Sequence, residues 1–209
     1  MYIPNYYKNE NIEEVRSFLI KNSFGILINQ GNGRLNGTHI PLELDTDEEG
    51  KEVLIGHISK ANPQWKNFKD NEEVLAIFQG SHSYISSSWY NHEDVPTWNY
   101  IAVHVYGVIK IIEGDELLDS LKKLVDKYEK NSENPVSVGN MSEKTLKQIK
   151  GIVGFKISIN EIQSAYKLSQ NKDDSDYHNI IEELEKTEEY NSIDIAKEMK
   201  KIKTDYNTK

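Results

Sequence analysis

The 209 residues include no cysteine. That removes disulfide frameworks, thiol catalysis and cysteine-type zinc sites, and it fits a reducing cytoplasm. Arginine is almost as scarce, with Arg16 and Arg34 alone, so the guanidinium-rich face usual for direct reading of DNA is missing. Long apolar runs are absent too. The most apolar stretch, Tyr100 to Ile112, contains His104 and Lys110 and is shorter than the roughly 20 residues of a membrane-spanning helix. Met1-Tyr2-Ile3-Pro4-Asn5 does not open a basic-then-apolar leader, so no signal peptide is expected. No Gly-x-Ser-x-Gly elbow, Walker A loop or Gly-x-Gly-x-x-Gly occurs, which withdraws the usual grounds for a serine hydrolase or a nucleotide-binding Rossmann unit. Five of the six histidines lie at 39, 57, 82, 92 and 104 without the i, i+4 helical pairing of a metalloprotease. Hydrogen-bonded histidines and no metal site are expected.

What remains is an ordinary folded chain. It is 37% hydrophobic, 10% aromatic and 28% charged, too apolar for disorder. Lys+Arg 25 against Asp+Glu 34 gives a net charge of −9, a poor match for phosphate backbones or anionic lipid.

The hydrophobic period changes along the chain. Asn11 and Glu14 have capping-box spacing before Ile12, Val15, Phe18 and Leu19, predicting a helix to Lys21. Phe24–Asn29 and Leu35–Leu44 read as strands joined by a hairpin at Asn32-Gly33, and Glu52–Ser59 as a third. Pro63 suits the first position of a short helix. Val74–Ser86 and Asn99–Ile112 are longer strands. In the last of these the odd positions Ile101, Val103, Val105, Gly107, Ile109 and Ile111 form a core face. The even positions Tyr100, Ala102, His104, Tyr106, Val108 and Lys110 form a mixed face for a ligand or a subunit. Asp115–Lys130 follows as a helix with Leu117, Leu118, Leu121, Leu124, Val125 and Tyr128 on its buried stripe. Ser142 caps a shorter helix, Gly154–Ile159 begins a last strand, and two charged helices end the chain. The order predicts an α+β fold with a small antiparallel barrel. Residues 1–172 make up the barrel, with a helical insertion at about 115–150, and 173–209 a C-terminal helical extension.

Two stretches carry chemistry. His57-Ile58-Ser59-Lys60-Ala61-Asn62-Pro63-Gln64-Trp65 ends a strand in a hydroxyl and an ammonium, then enters a helix. It reads either as a phosphate cradle using amides at the helix start, or as a plain turn capped by Asn62 with Trp65 in the core. Gly80 through Tyr90 and Val95 through Tyr100 concentrate tryptophan and tyrosine, which suits a planar ligand, a core or a dimer seam.

These segments resemble the PaiB family, described as FMN-binding negative transcriptional regulators. The resemblance is carried by Met1-Tyr2-Ile3-Pro4, His57–Trp65, Gly80–Tyr90, Val95-Pro96-Thr97-Trp98-Asn99-Tyr100, Ala102–Gly107 and Lys167-Leu168-Ser169-Gln170-Asn171. The sequence departs from the pattern at Ser81 and Ser87, where prolines are expected to stiffen a loop. The resemblance implies a split β-barrel like that of pyridoxamine-phosphate oxidase, in a cytoplasmic homodimer with FMN sites between subunits. It assigns the phosphate to Ser59, Lys60 and Asn62, the strand beside the isoalloxazine to Thr38, His39 and Ile40, and the partner-facing edge to Trp98, Asn99 and Tyr100. Regulation is then indirect. Lys197, Lys200, Lys201 and Lys203 form a local cluster, but Ile193, Ala196, Met199 and Ile202 give that helix an ordinary inward stripe. The alternatives are a flavin-dependent oxidoreductase, a haem-handling split barrel with an axial His39, His57, His82 or His104, and a barrel that only dimerises.

Overall fold

A computed structural model of the chain describes residues 1–68 and 72–206, with side chains as far as Ile202. The backbone resolves into two compact units. One comprises Met1–Phe18, Gln79–Val103 and Gln163–Lys209; the other comprises Leu19–Phe78 and His104–Ile162.

Helix α1 (Ile12–Lys21) starts where the sequence predicts. Asn11 Oδ1 accepts from the amides of Glu13 and Glu14, at 3.2 and 3.4 Å. The reciprocal half of the expected capping box does not form, because the Glu14 carboxylate accepts instead from Asn9 Nδ2 at 2.6 Å. Strands β1 (Phe24–Gly31) and β2 (Arg34–Thr46) meet at Asn32 and Gly33, whose φ angles of 52° and 74° are those of a left-handed hairpin turn. With β3 (Glu52–Ser59), β4 (Glu73–Ile85), β5 (Thr97–Ile112) and β6 (Ile152–Lys167), they hydrogen-bond in the order β1-β2-β3-β6-β5-β4 and close into a barrel. This is the antiparallel barrel with flanking helices that the strand pattern predicts, and the split barrel that the resemblance implies.

In the second unit, Leu27, Leu42, Leu54, Phe78, Phe155 and Ile157 are all fully buried. Strand β5 alternates as expected from Ile101 to Ile109, then slips phase at exposed Lys110, so Ile112 is buried and Ile111 is not. The stripe expected on α2 (Gly114–Glu129) is shallower than its spacing suggests: Leu117 alone is buried, and Tyr128 is exposed. Tyr128 bonds instead to Ser23 Oγ at 2.6 Å and Glu43 Oε1 at 2.9 Å, since a phenol left at the rim needs polar partners. The short helix expected at 143–150 is α3 (Glu143–Leu146) running into a 3-10 turn at Lys147–Gly151.

The first unit includes α4 (Asp174–Lys186) and α5 (Tyr190–Tyr206). Ile85, Leu168, Ile180, Leu184, Ile195, Ala196 and Met199 are fully buried in it. Ser81 lies inside β4, not in a loop, and its hydroxyl donates to Asp194 Oδ2 at 2.7 Å. Two residues on, Ser83 Oγ meets Ser192 Oγ at 2.9 Å. Serine at 81 therefore ties β4 to α5 rather than loosening a turn. Among the described residues, no helix is long and apolar enough to cross a membrane.

Candidate functional site

Thr38, His39, Ile40, Ser59, Lys60 and Asn62 all belong to the second unit, and Trp98, Asn99 and Tyr100 to the first. Their geometries follow unit by unit.

Strand β3 ends at Ser59 because the chain turns there: the Asn62 amide donates to Ser59 O at 2.9 Å, and a 3-10 helix opens at Pro63–Asn67. Asn62 caps that helix, its Oδ1 accepting from the Gln64 amide at 3.0 Å, and its Nδ2 donates to Thr38 Oγ1 at 2.9 Å. The amides of this turn have acceptors within the chain. Lys60 N reaches Gly151 O at 2.8 Å, Ala61 N reaches Ser59 Oγ at 3.3 Å, and Pro63 has none to give. The amides of Lys60, Ala61, Asn62 and Gln64 are thus taken up by capping and turn bonds, as the plain-turn reading of this stretch has them. Two outward groups remain. Ser59 and Lys60 are exposed, and the Lys60 ammonium has neither a carboxylate nor a hydrogen-bond partner among the described residues.

Behind this turn sits a residue that the motif reading passed over. Gln64 is 3% exposed. Its Nε2 donates to Leu27 O at 3.1 Å, Asn29 Oδ1 at 3.0 Å and Asn36 O at 3.3 Å, while its Oε1 accepts from Thr38 Oγ1. One carboxamide thus fixes β1, β2 and the turn against one another. Nothing in a glutamine after Asn-Pro announces this role, since the partners lie 26 to 37 residues upstream. Trp65, expected in the core, is only half-buried and donates from Nε1 to Lys60 O at 3.0 Å, bracing the turn from outside.

Strand β2 contributes an edge. Leu42 N donates to Ser23 O at 2.8 Å, and the register pairs Ile40 with Gly25 and Thr38 with Leu27. Stepping by two, residues 38, 40 and 42 direct their main-chain groups at β1, and 37 and 39 direct theirs away. Among the described residues β3 pairs with β2 over Leu42–Thr46, and the amide and carbonyl of His39 have no strand partner. Its exposed imidazole stacks on exposed Phe24 with ring centroids 6.5 Å apart. Ile40 faces inward and is 9% exposed.

Two clefts flank these elements. One, of about 300 Å³, is lined by Arg34, Asn36, Pro63, Gln64 and Asn67. The other, of about 160 Å³, lies between β2, β3 and α2 and includes His57, Glu43 and Lys127. Ser59 and Lys60 line neither. Burial holds the His57 imidazole below its ordinary pKa of 6.5, and His104 on β5 is lowered by the same cause. A folded-state value below the unfolded one stabilises the protein above about pH 6.5 and is lost as pH falls through the lowered values. Urea midpoints should therefore drop between pH 7.5 and 5. Replacing His57 with glutamine should flatten that slope, and an unchanged slope would contradict the assignment.

In the first unit, Asn99 is fully buried: its Oδ1 accepts from Ser169 Oγ at 3.0 Å, and its Nδ2 lies 3.5 Å from Met199 Sδ. It joins β5 to the Lys167–Asn171 turn and to α5. Trp98 points the other way, is 52% exposed, and makes an aromatic patch with Tyr84 and His82 at centroid distances of 5.8 and 6.1 Å. Tyr100 shares the Trp98 face and is half-buried.

The chain is 47% identical over 200 residues to the protease synthase and sporulation protein PAI 2 of Bacillus subtilis, covering 95% of this chain and 96% of that protein. Its fold is similar to that of the flavocytochrome Anf3 from Azotobacter vinelandii, with a TM-score of 0.61 and 17% identity over 83% of this chain and 75% of that one. It is equally similar to an FAD and haem binding protein from Mycobacterium smegmatis, with a TM-score of 0.62 and 13% identity over 82% and 78% of the two chains. Residues 1–161 match the model of the family described as "Putative FMN-binding domain", and the chain belongs to that family.

Proposed function

We propose that this protein is a PaiB-like negative regulator that binds FMN, or a similar planar anion, in a cytoplasmic homodimer and regulates without touching DNA. The observation that carries the reading is the exposed Lys60 ammonium, without a partner among the described residues, next in the chain to the exposed Ser59 hydroxyl at the end of β3. An ammonium and a hydroxyl on one rigid turn suit a phosphate monoester. The open edge of β2 at His39 offers one amide and one carbonyl to the polar rim of a flavin ring. Asn62 is a positioning residue in this reading, because its side chain is engaged by Thr38 and Gln64. FMN supplies the redox-active ring; the chain supplies placement and polarity.

The exposed Trp98–Tyr84–His82 patch supports a second copy as the partner. Indirect regulation is favoured by the net charge of −9 and by the lysines of α5. Lys200 pairs with Glu185 at 2.5 Å and Lys201 with Glu198 at 2.6 Å, which offsets part of the cluster's charge, while Lys197 is exposed; the Lys203 side chain lies outside the described residues. The haem-handling reading draws on one observation, the half-buried His57 whose imidazole burial keeps neutral, as an axial ligand must be.

Lys60→Ala should weaken FMN binding by about 1–3 kcal/mol, roughly 5- to 150-fold, as loss of a charge-assisted contact requires. Riboflavin, which has no phosphate, should bind both proteins alike. Quenching of flavin fluorescence measures both, and unchanged FMN affinity would remove Lys60 from the site. An absorbance scan of protein never supplemented with flavin separates flavin bands at roughly 370 and 450 nm from a haem Soret band at roughly 400 nm.

A further inference from the structure

Residues 90–96 lead into β5 and run past the start of α4. There His92 Nδ1 and Asp176 Oδ2 lie 3.2 Å apart. Asp173, the N-cap of α4, adds a third ligand group, and one donor atom from each residue lies within 4.8 Å of the others. The surroundings of Asp176 are uneven. It is 0% exposed; its Oδ1 accepts from the Asn91 amide at 2.8 Å and from Asn91 Nδ2 at 3.0 Å. Its Oδ2 has no hydrogen-bond partner among the described residues, and the nearby imidazole is not aligned to provide one.

With a neutral imidazole that turns its Nδ1 lone pair inward, that nitrogen and the buried Asp176 Oδ2 are two ligand atoms that a cation between them would satisfy. The His92–Asp176 spacing fits such a charge. Zinc bonds of about 2.0 Å in a tetrahedral shell leave ligand atoms about 3.3 Å apart. The surroundings fit as well. Asn91 holds the far oxygen of Asp176, and the other ring nitrogen of His92 faces Asp94 Oδ2 at 3.9 Å, the side on which zinc-bound histidines meet a carboxylate. Lys172 is paired with Asp94, and its charge also reaches Asp176. One imidazole and two carboxylates suit zinc, whereas calcium and magnesium need about six oxygens. Exposed His92 and Asp173 leave an entry path and an open fourth position.

We propose that His92, Asp173 and Asp176 bind a zinc ion that pins the 90–96 segment to the first turn of α4. The ligands come from positions about eighty residues apart, so no spacing in the sequence announces them.

Tag-free, chelator-treated full-length protein titrated calorimetrically with zinc chloride should take up one zinc per chain, and its melting temperature should rise with zinc but not with magnesium or calcium. His92→Ala and Asp176→Asn should each weaken uptake by more than the roughly 10- to 100-fold typical of outer-shell losses, and Asn91→Ala by roughly 10-fold. Because Asp176 is buried, Asp173→Asn at the exposed ligand serves as the control on folding. Wild-type protein that takes up no zinc at micromolar concentration overturns the proposal, as does uptake undiminished in both His92→Ala and Asp173→Asn. If His92 and Asp176 are only a charged pair, zinc will not raise the melting temperature and His92→Ala will lower it equally with and without the metal, which also overturns it.

Discussion

Gln64→Leu should destabilise the protein by about 3 kcal/mol or more and weaken FMN binding together. The side chain is 3% exposed, and its carboxamide serves four groups on β1 and β2. Leucine has similar volume, so the loss comes from polar groups left behind. Asn29 Oδ1 and the Thr38 hydroxyl lose their Gln64 partner, at roughly 1–3 kcal/mol for each that water cannot reach, while Leu27 O and Asn36 O lose a second donor but keep their strand partners. Function should follow because Thr38, which Gln64 also holds, receives the Asn62 side chain, and Asn62 fixes the turn that presents Ser59 and Lys60. Gln64→Glu keeps shape and an acceptor but turns a carboxylate toward three oxygens, so it should destabilise at least as much as leucine. Urea denaturation and FMN titration measure the two effects. Full stability with weakened binding would mean that the network tunes the site without supporting the fold.

Gly107→Ala should destabilise at or beyond the upper end of the about 1–3 kcal/mol typical of overpacking. A methyl at this position would sit 2.3 Å from Ser158 O and 2.7 Å from Ile157 Cγ2. Carbonyl oxygens in a paired strand cannot step aside as a flexible side chain can, so β5 would have to shift within the barrel. Gly37 on β2 is the control: there an added Cβ meets nothing closer than 3.7 Å, and alanine should be tolerated. Similar melting temperatures for the two variants would mean that β5 and β6 do not pack as closely as described.

The strands, hairpin and C-terminal helices were legible because each is written in short-range chemistry. Period-two burial marks β5, Asn32-Gly33 supplies two left-handed residues, and Asn62-Pro63 caps and opens a helix. Sequence and structure part where a neighbour decides the outcome. The α2 stripe looks continuous, yet Tyr128 prefers Ser23 and Glu43 at the rim, and Glu14 turns to Asn9 instead of its own helix start. Likewise the amides at 60–62 look available from the motif and are already bonded to Gly151 and Ser59.

By itself the sequence determined a charged, cysteine-free α+β chain, its six strands in order, and the turn that bears Ser59 and Lys60, because propensity, period and capping act over a few residues. Only the tertiary structure decided which of those groups are already bonded, which residue locks the turn, and where His92 meets Asp173 and Asp176. Those outcomes depend on segments tens of residues apart being brought within a few ångströms, a distance that tertiary packing sets and that no local pattern records.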